Sequence, residues 1–231
     1  MQQNIPLYIF SDPICPWCYI GKARLDRALT ARPNHPFRIE WHPFQLNPNM
    51  PAEGMDRRAY MERKFGGKDG AVAAYAPIAE AAAAEGLPLN LEAIRRTPNT
   101  LDAHRLIHWA ALEGVQPFVV DRLFKAYFEE GRDISDHAVL ADIGEAAGMG
   151  RAVVERLLAS DADRADILAR DRDARDKGCT AVPTFVVANH AVVPGAQPAS
   201  LWERVIDEVL ARGDGAEAPA PPDGSADGPS C

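Results

Sequence analysis

The feature that most constrains the fold is a pair of cysteines placed where a predicted strand meets a predicted helix. The apolar run Pro6–Phe10 predicts a strand, and four residues separate it from Cys15-Pro16-Trp17-Cys18, the CPWC motif, which opens a stretch with helical periodicity. Proline suits the first turn of a helix because the N–H that it lacks has no partner there. The spacing therefore predicts a strand, a tight turn and a helix that begins at the motif.

The two sulfurs are predicted to play different parts in thiol–disulfide exchange. Cys15 lies at the positive end of the helix dipole, which favours thiolate over thiol and lowers the expected pKa from about 8.5 by one to several units. Cys18 lies one turn further along the same side, within reach of a mixed disulfide at Cys15. We therefore interpret Cys15 as the nucleophile and Cys18 as the resolving thiol.

A zinc site or a chance pair of unreactive cysteines would also contain this motif. Zinc needs four ligands, and the chain has no second CxxC or CxxH. Proline and tryptophan between the cysteines, directly after a strand-to-helix junction, are typical of a redox site. The sequence thus favours redox chemistry and predicts no metal.

The composition limits the classes of partner and the cellular compartment that we expect for this protein. The 231 residues are 47 % hydrophobic, the net charge is −8 and no basic run occurs, so nucleic acid is not an expected partner. No segment approaches the roughly eighteen apolar residues that span a bilayer, and the N-terminus shows no secretory leader pattern. We expect a cytoplasmic protein without a membrane partner, either a monomer or a homodimer. In a reducing compartment, a CxxC pair is more plausible as a working site than as a structural disulfide.

The rest of the chain predicts two strand-rich ends around a long helical block. Phe37–His42 alternates as a second strand, and helical periodicity then runs from 55 to 177, divided by breakers and caps into six or seven helices. Thr184–Val187 and Ala191–Val193 predict two strands joined by a turn at Asn189-His190, and an amphipathic helix follows. The order is βαβ, a helical block, then ββα.

Because βαβ and ββα are the halves of a thioredoxin fold, we predict an α/β thioredoxin fold with a large all-helical insertion. Residues 1–50 and 178–212 form the thioredoxin-like domain in this interpretation, and 51–177 form the inserted helical subdomain, which lies over the helix that carries the CPWC motif. Residues 213–231 are rich in Gly, Ala, Pro, Asp and Ser and predict a disordered tail.

Five sequence blocks in the same order resemble one known family, the DsbA-like thioredoxin-fold proteins of the FrnE type. The blocks are Ser11 to Lys22, Pro43 to Pro48, Pro98 to Leu106, Val182 to Phe185 and Gly195 to Pro198. The resemblance implies that Pro183 is cis and faces the CPWC motif, so that the Val182 backbone can pair with an extended substrate. A proline that simply starts an edge strand is the alternative.

Further residues are candidates for substrate binding. Pro16 and Trp17 adjoin both sulfurs, and Gln45 and Asn47 belong to a loop expected beside the active site, where a peptide or glutathione backbone can bind. Turn formation accounts for Asn47 equally well. His104 lies in a block that matches the family and, if protonated beside Cys15, would stabilise its thiolate; a packing or hydrogen-bonding role is the alternative.

These observations favour a thiol–disulfide oxidoreductase that acts on a disulfide-containing protein or a small thiol. It would need no cofactor, and glutathione is the co-substrate considered. The alternative is a glutathione-dependent isomerase or transferase resembling the 2-hydroxychromene-2-carboxylate isomerases and kappa-class transferases, which do not need a second cysteine. A chaperone that uses the groove beside Pro183 is a third, nonenzymatic hypothesis. The direction of electron flow is not predicted, because it depends on how strongly the fold stabilises the Cys15 thiolate.

Overall fold

A mixed sheet of four strands and a set of helices inserted between its second and third strands make up the described part of the protein. The computed structural model describes residues 4–212, so the tail predicted for 213–231 lies outside the described residues. The elements are β1 (Ile5–Ser11), α1 (Pro16–Ala31), β2 (Phe37–Pro43), β3 (Met55–Asp56), α2 (Arg57–Phe65), α3 (Lys68–Ala84), β4 (Arg96–Thr97), α4 (Leu101–Leu112), α5 (Gln116–Phe128), α6 (His137–Ala146), α7 (Arg151–Leu158), α8 (Arg164–Asp176), β5 (Thr184–Val187), β6 (Ala191–Pro194) and α9 (Ala199–Arg212).

The sheet has the topology that the sequence predicts for a thioredoxin fold. Its strand order is β2-β1-β5-β6, with β1 parallel to β2 and antiparallel to β5, while β5 and β6 form a hairpin. Alternate residues of β1, such as Leu7 and Ile9, are fully buried. Phe185 on β5 and Trp202 on α9 are also fully buried, and their rings meet edge to face with centroids 4.7 Å apart. This packing fixes the end of β1, and with it the CPWC motif, on the core.

The helices α2 to α8 occupy the stretch between β2 and β5. Seven helices lie in this stretch, within the six or seven predicted, and breaks fall at residues such as Gly66, which adopts a left-handed conformation (φ 73°) that glycine tolerates without steric cost. The arrangement is that of a thioredoxin fold with a helical insertion, as predicted. The exact domain limits at 50 and 178 stay a prediction.

Two local expectations were wrong. The block from 55 to 177 is not purely helical, because Met55–Asp56 pairs with Arg96–Thr97 as a two-residue antiparallel ladder. Such short strands carry too little alternation to predict from a pattern. The β5–β6 connection has three residues rather than two, since Val187 pairs with Ala191, and it depends on left-handed conformations at Ala188 and Asn189 (φ 54° and 65°). A left-handed alanine is uncommon, so the turn is hard to predict there.

Candidate functional site

The CPWC motif lies at the N-terminus of α1, as the sequence predicts. Pro16 is the first helical residue, and the side chain of the capping residue, Cys15, accepts a hydrogen bond from the backbone N–H of Cys18 at 3.3 Å. The Cys15 sulfur therefore takes the place that an oxygen takes in a typical helix cap, where N–H groups and the helix dipole favour negative charge. Both cysteine side chains are buried, and Cys18 is a free thiol.

The second element at the site is the segment before β5. The Val182–Pro183 peptide bond is cis, and the Cys15 thiol donates to the Val182 carbonyl oxygen at a sulfur–oxygen distance of 3.6 Å. α1 approaches this segment closely at Gly21, where a Cβ atom would lie 3.1 Å from Pro183 Cγ. A side chain at this position would push α1 away from the proline. The fold thus brings Cys15 against Val182 and Pro183, 167 residues further along the chain.

A buried carboxylate, Asp12, lies beside the motif and was missed by sequence reasoning. It accepts hydrogen bonds from the backbone N–H of Leu46 at 2.7 Å, from that of Ile14 at 3.2 Å and from the Thr100 hydroxyl at 3.3 Å. Burial raises the pKa of Asp12 to about 7, against the lowering effect of these donors. The sequence signal for Asp12 was an acidic residue three positions before the first cysteine of the motif. Asp12 links the CPWC turn to the loop after β2 and to the start of α4.

A cavity of about 210 Å³ adjoins the motif on the side of α2 and α3; we call it the CPWC cavity. Its lining comprises Ile14, Pro16, Trp17, Leu46, Arg57, Tyr60, Lys64, Phe65, Ala74, Tyr75 and Ile78. Among these residues, Arg57 and Lys64 are charged, and no acidic side chain is present. The predicted substrate-binding residues Pro16 and Trp17 therefore face a cavity that is aromatic, apolar and cationic.

The loop residues Gln45 and Asn47 lie near this region but are held by other parts of the protein. The Gln45 backbone N–H donates to Asp171 at 2.7 Å, and its side-chain amide donates to Asn99 at 3.4 Å. Asn47 accepts from the hydroxyl of Tyr60, a residue that lines the CPWC cavity, at 2.9 Å. Within the described residues, Gln45 Oε1 and Asn47 Nδ2 have no hydrogen-bond partner. A role in substrate binding stays a prediction for both.

His104 lines a different cavity, of about 580 Å³, which we call the β2–α4 cavity. Its lining includes Trp41, His42, His104, Ile107, His108 and Arg170. Burial lowers the pKa of His104 to about 4, with Asp171 as a weaker opposing influence. This lowered pKa opposes the positive charge that the predicted stabilisation of the Cys15 thiolate requires, and a role of His104 at the site stays a prediction. The packing alternative describes its surroundings better.

A third cysteine, Cys179, lies in the segment between α8 and β5. Cys179 is half-buried, its thiol contacts the Ala181 carbonyl at 3.5 Å, and burial raises its pKa. In residues 4–212, no group of three or more His, Cys, Asp or Glu side chains is arranged to hold a metal ion. No helix in the same range has the length and apolar character to cross a membrane.

Comparison with known proteins gives the family. The DSBA-like thioredoxin domain matches residues 7–207. The crystal structure of the probable DsbA oxidoreductase SCO1869 from Streptomyces coelicolor is 28 % identical, with a TM-score of 0.81 over 95 % of this chain and 97 % of that one.

Two more distant structures share the fold. The first is a 2-hydroxychromene-2-carboxylate isomerase, with 16 % identity, a TM-score of 0.68 and coverage of 90 % of this chain and 97 % of that one. The second is the cytosolic disulfide reductase DsbM from Pseudomonas aeruginosa with GSH, with 19 % identity, a TM-score of 0.64 and coverage of 89 % and 99 %. With a match over residues 7–207 and the thioredoxin topology of its sheet, the chain belongs to the DSBA-like thioredoxin domain family.

Proposed function

We propose that the protein is a thiol–disulfide oxidoreductase in which Cys15 is the nucleophile and Cys18 the resolving thiol. The observation that carries the proposal is the position of the Cys15 sulfur. It accepts the Cys18 N–H at the start of α1 and lies against the Val182 carbonyl next to Pro183. The Cys18 N–H and the N-terminus of α1 favour negative charge on the Cys15 sulfur, and Cys18 lies one helical turn away. The likeness to the probable DsbA oxidoreductase supports the same chemistry.

The proposed exchange proceeds in two balanced steps. The Cys15 thiolate attacks one sulfur of the substrate disulfide, which forms a Cys15–substrate disulfide and releases the other substrate sulfur as a thiolate. Cys18, once deprotonated, then attacks Cys15, which releases the second substrate sulfur and leaves a Cys15–Cys18 disulfide. Two electrons pass from the protein to the substrate. The reverse sequence oxidises a substrate dithiol.

A substrate is proposed to approach along the Val182–Pro183 segment and the CPWC cavity. The Val182 backbone offers main-chain hydrogen bonds to an extended segment, while Pro16 and Trp17 border the cavity beside the sulfurs. Because Cys15 is buried, exchange requires a local opening at this point. Glutathione is proposed as a small-thiol co-substrate in a cytoplasmic setting, which the likeness of fold to a cytosolic reductase with GSH supports.

A single experiment tests the proposed function with a matched control. Reduced wild-type protein, Cys15→Ser and Cys179→Ser are each mixed with a disulfide substrate, and released thiol is counted in one turnover. We expect the Cys15→Ser variant to release none, because the attacking sulfur is absent, and the Cys179→Ser variant to behave as wild type. Undiminished release by Cys15→Ser would contradict the proposal.

The isomerase alternative predicts a different dependence on the second cysteine. Disulfide exchange needs Cys18 for release of the second substrate sulfur, whereas glutathione-dependent isomerisation does not. A Cys18→Ala variant that isomerises 2-hydroxychromene-2-carboxylate at the wild-type rate would favour the alternative. Loss of exchange in this variant, without isomerase activity in either protein, would favour the oxidoreductase.

A further inference from the structure

One charged side chain of the CPWC cavity has no counterpart of opposite charge among the described residues. Arg57 is the first residue of α2, and its guanidinium donates to the Tyr75 hydroxyl at 2.6 Å and, more loosely, to the hydroxyls of Thr97 and Tyr127 at 3.4 Å. Within residues 4–212, these partners are neutral oxygens, and no carboxylate forms an ion pair with Arg57. Hydroxyl groups solvate a guanidinium without neutralising it.

Arg57 differs from the ion-paired arginines of this protein in its partners. The chain has a net charge of −8, and many of its arginines have acidic partners, as Arg58 has in Glu62 at 2.8 Å and Arg24 has in Glu85 at 2.8 Å. Arg57, by contrast, is half-buried, and its guanidinium donates to hydroxyl groups of α3, β4 and α5. A poorly hydrated cation without a counter-ion attracts an anion more strongly than an exposed one does.

The surroundings of Arg57 add to the positive field and define the shape of what can enter. Lys64, also on α2, lies over the rings of Tyr60 and Phe65 at 5.6 Å from each centroid. Trp17, which stands between the two cysteines in the sequence, also lines the cavity. An anionic group that enters the cavity would thus meet cations at α2 while the adjoining part of the molecule lies against the CPWC motif.

We propose that Arg57 is a specificity-determining residue that binds a carboxylate of the substrate, so that the protein prefers disulfides and thiols that carry a carboxylate near the sulfur. This inference rests on the proposed oxidoreductase function and deepens it. A guanidinium binds a carboxylate through two parallel hydrogen bonds, which a lysine ammonium cannot reproduce with the same geometry. The cavity volume of about 210 Å³ suits a small carboxylate-bearing group.

The test compares three disulfides that differ in the terminal group alone: 3,3′-dithiodipropionate, bis(2-hydroxyethyl) disulfide and cystamine. Each is reduced in a single turnover by the reduced protein, which supplies the two electrons. Since the leaving thiols differ in intrinsic reactivity, each variant is compared with wild type on the same disulfide. We expect Arg57→Gln to slow the dicarboxylate by roughly tenfold, as for the loss of a charged hydrogen bond, and the neutral disulfide by less than about twofold.

Two variants and an inert ligand complete the test. Arg58→Gln removes the neighbouring charge on the exposed side of α2 and should match wild type with all three disulfides. Arg57→Lys keeps the positive charge and should retain part of the preference for the dicarboxylate. It serves as the second variant if Arg57→Gln fails to fold. Suberate is dithiodipropionate with two methylenes in place of the sulfurs, and 1,6-hexanediol is the matching neutral compound. In wild type, suberate should inhibit reduction of dithiodipropionate more strongly than 1,6-hexanediol does. In Arg57→Gln, the two compounds should inhibit equally.

Two outcomes would overturn the inference. Equal slowing of all three disulfides by Arg57→Gln would show a purely structural role, and no change with any of them would show no role. Failure of the proposed function looks different, because wild-type protein itself would then leave every disulfide intact, while selective binding of suberate through Arg57 would still be measurable.

Discussion

The CPWC cavity and the β2–α4 cavity differ in size and in the charge of their linings, and the smaller one borders the CPWC motif. The β2–α4 cavity is larger, at about 580 Å³, and is lined by three histidines, of which His42 and His104 have pKa values lowered by burial to about 4. The CPWC cavity measures about 210 Å³, but it adjoins Trp17 and has a cationic wall. Volume and a cluster of histidines distinguish the β2–α4 cavity, whereas lining by Pro16 and Trp17 places the CPWC cavity beside the motif.

The largest expected effect comes from matched tryptophan substitutions, one in each cavity. Trp41→Ala removes a ring that packs against Phe124 and should cost about 3–5 kcal/mol of unfolding free energy, with little change in exchange rate per folded molecule. Trp17→Ala should slow exchange by roughly tenfold or more, because the wall that positions the substrate is lost. Denaturant unfolding and single-turnover kinetics measure the two effects; slowed exchange in Trp41→Ala alone would reverse the assignment of the cavities.

The next largest effect is the pH dependence of the unfolding free energy that Asp12, beside the CPWC motif, should cause. Burial raises its pKa from 3.8 to about 7, so the folded state binds a proton more tightly than the unfolded state. The stabilisation is fully present below about pH 4 and is lost as pH rises to about 7 and beyond, by up to about 4 kcal/mol. Relative to Asp12→Asn, which does not titrate, wild type should lose unfolding free energy across this window. A difference that does not vary with pH would contradict the buried, proton-binding carboxylate.

His104, which lines the β2–α4 cavity, should give the opposite dependence of the unfolding free energy on pH. The pKa of His104 is lowered from 6.5 to about 4, so the unfolded state binds the proton more tightly. Relative to His104→Gln, wild type should lose unfolding free energy as pH falls from about 6.5 to 4, by up to about 3 kcal/mol. Equilibrium unfolding at several pH values tests this. Destabilisation of wild type on raising the pH through the same range would show that His104 is charged in the folded protein.

The smallest expected effect concerns the exchange rate itself. Because His104 is neutral and lines the other cavity, His104→Gln should change the single-turnover rate at pH 7 by less than about twofold, once the fraction of folded protein is taken into account. A large loss of rate with a shifted pH profile would restore a role for His104 beside Cys15.

The thioredoxin part of the fold was predictable, because its signals are local and strong. A proline directly after Cys15 marks the start of α1, and the alternating runs on either side mark the strands. The pairing of Met55–Asp56 with Arg96–Thr97 was not predictable, because a two-residue strand leaves no periodic pattern in the sequence.

For the candidate site, sequence reasoning predicted Cys15, Cys18 and Pro183 but not Asp12 and Arg57, which the structure places around them. The importance of Asp12 depends on donors from Leu46 and Thr100, and that of Arg57 on the absence of a nearby carboxylate in the described residues. Both properties arise from contacts between distant segments. His104 shows the converse, because a matching sequence block gave the residue while its charge state is decided by burial.

The most direct test of the central claim is the mass of the species trapped when the resolving thiol is removed. Cys18→Ser is reacted with a disulfide substrate, quenched with acid and digested. We predict one substrate half in disulfide linkage to Cys15, stable for the time of the experiment because no second thiol releases it. Linkage at Cys179, or no adduct at all from a variant that is folded and reduced, would contradict the assignment of Cys15 as the nucleophile and Cys18 as the resolving thiol.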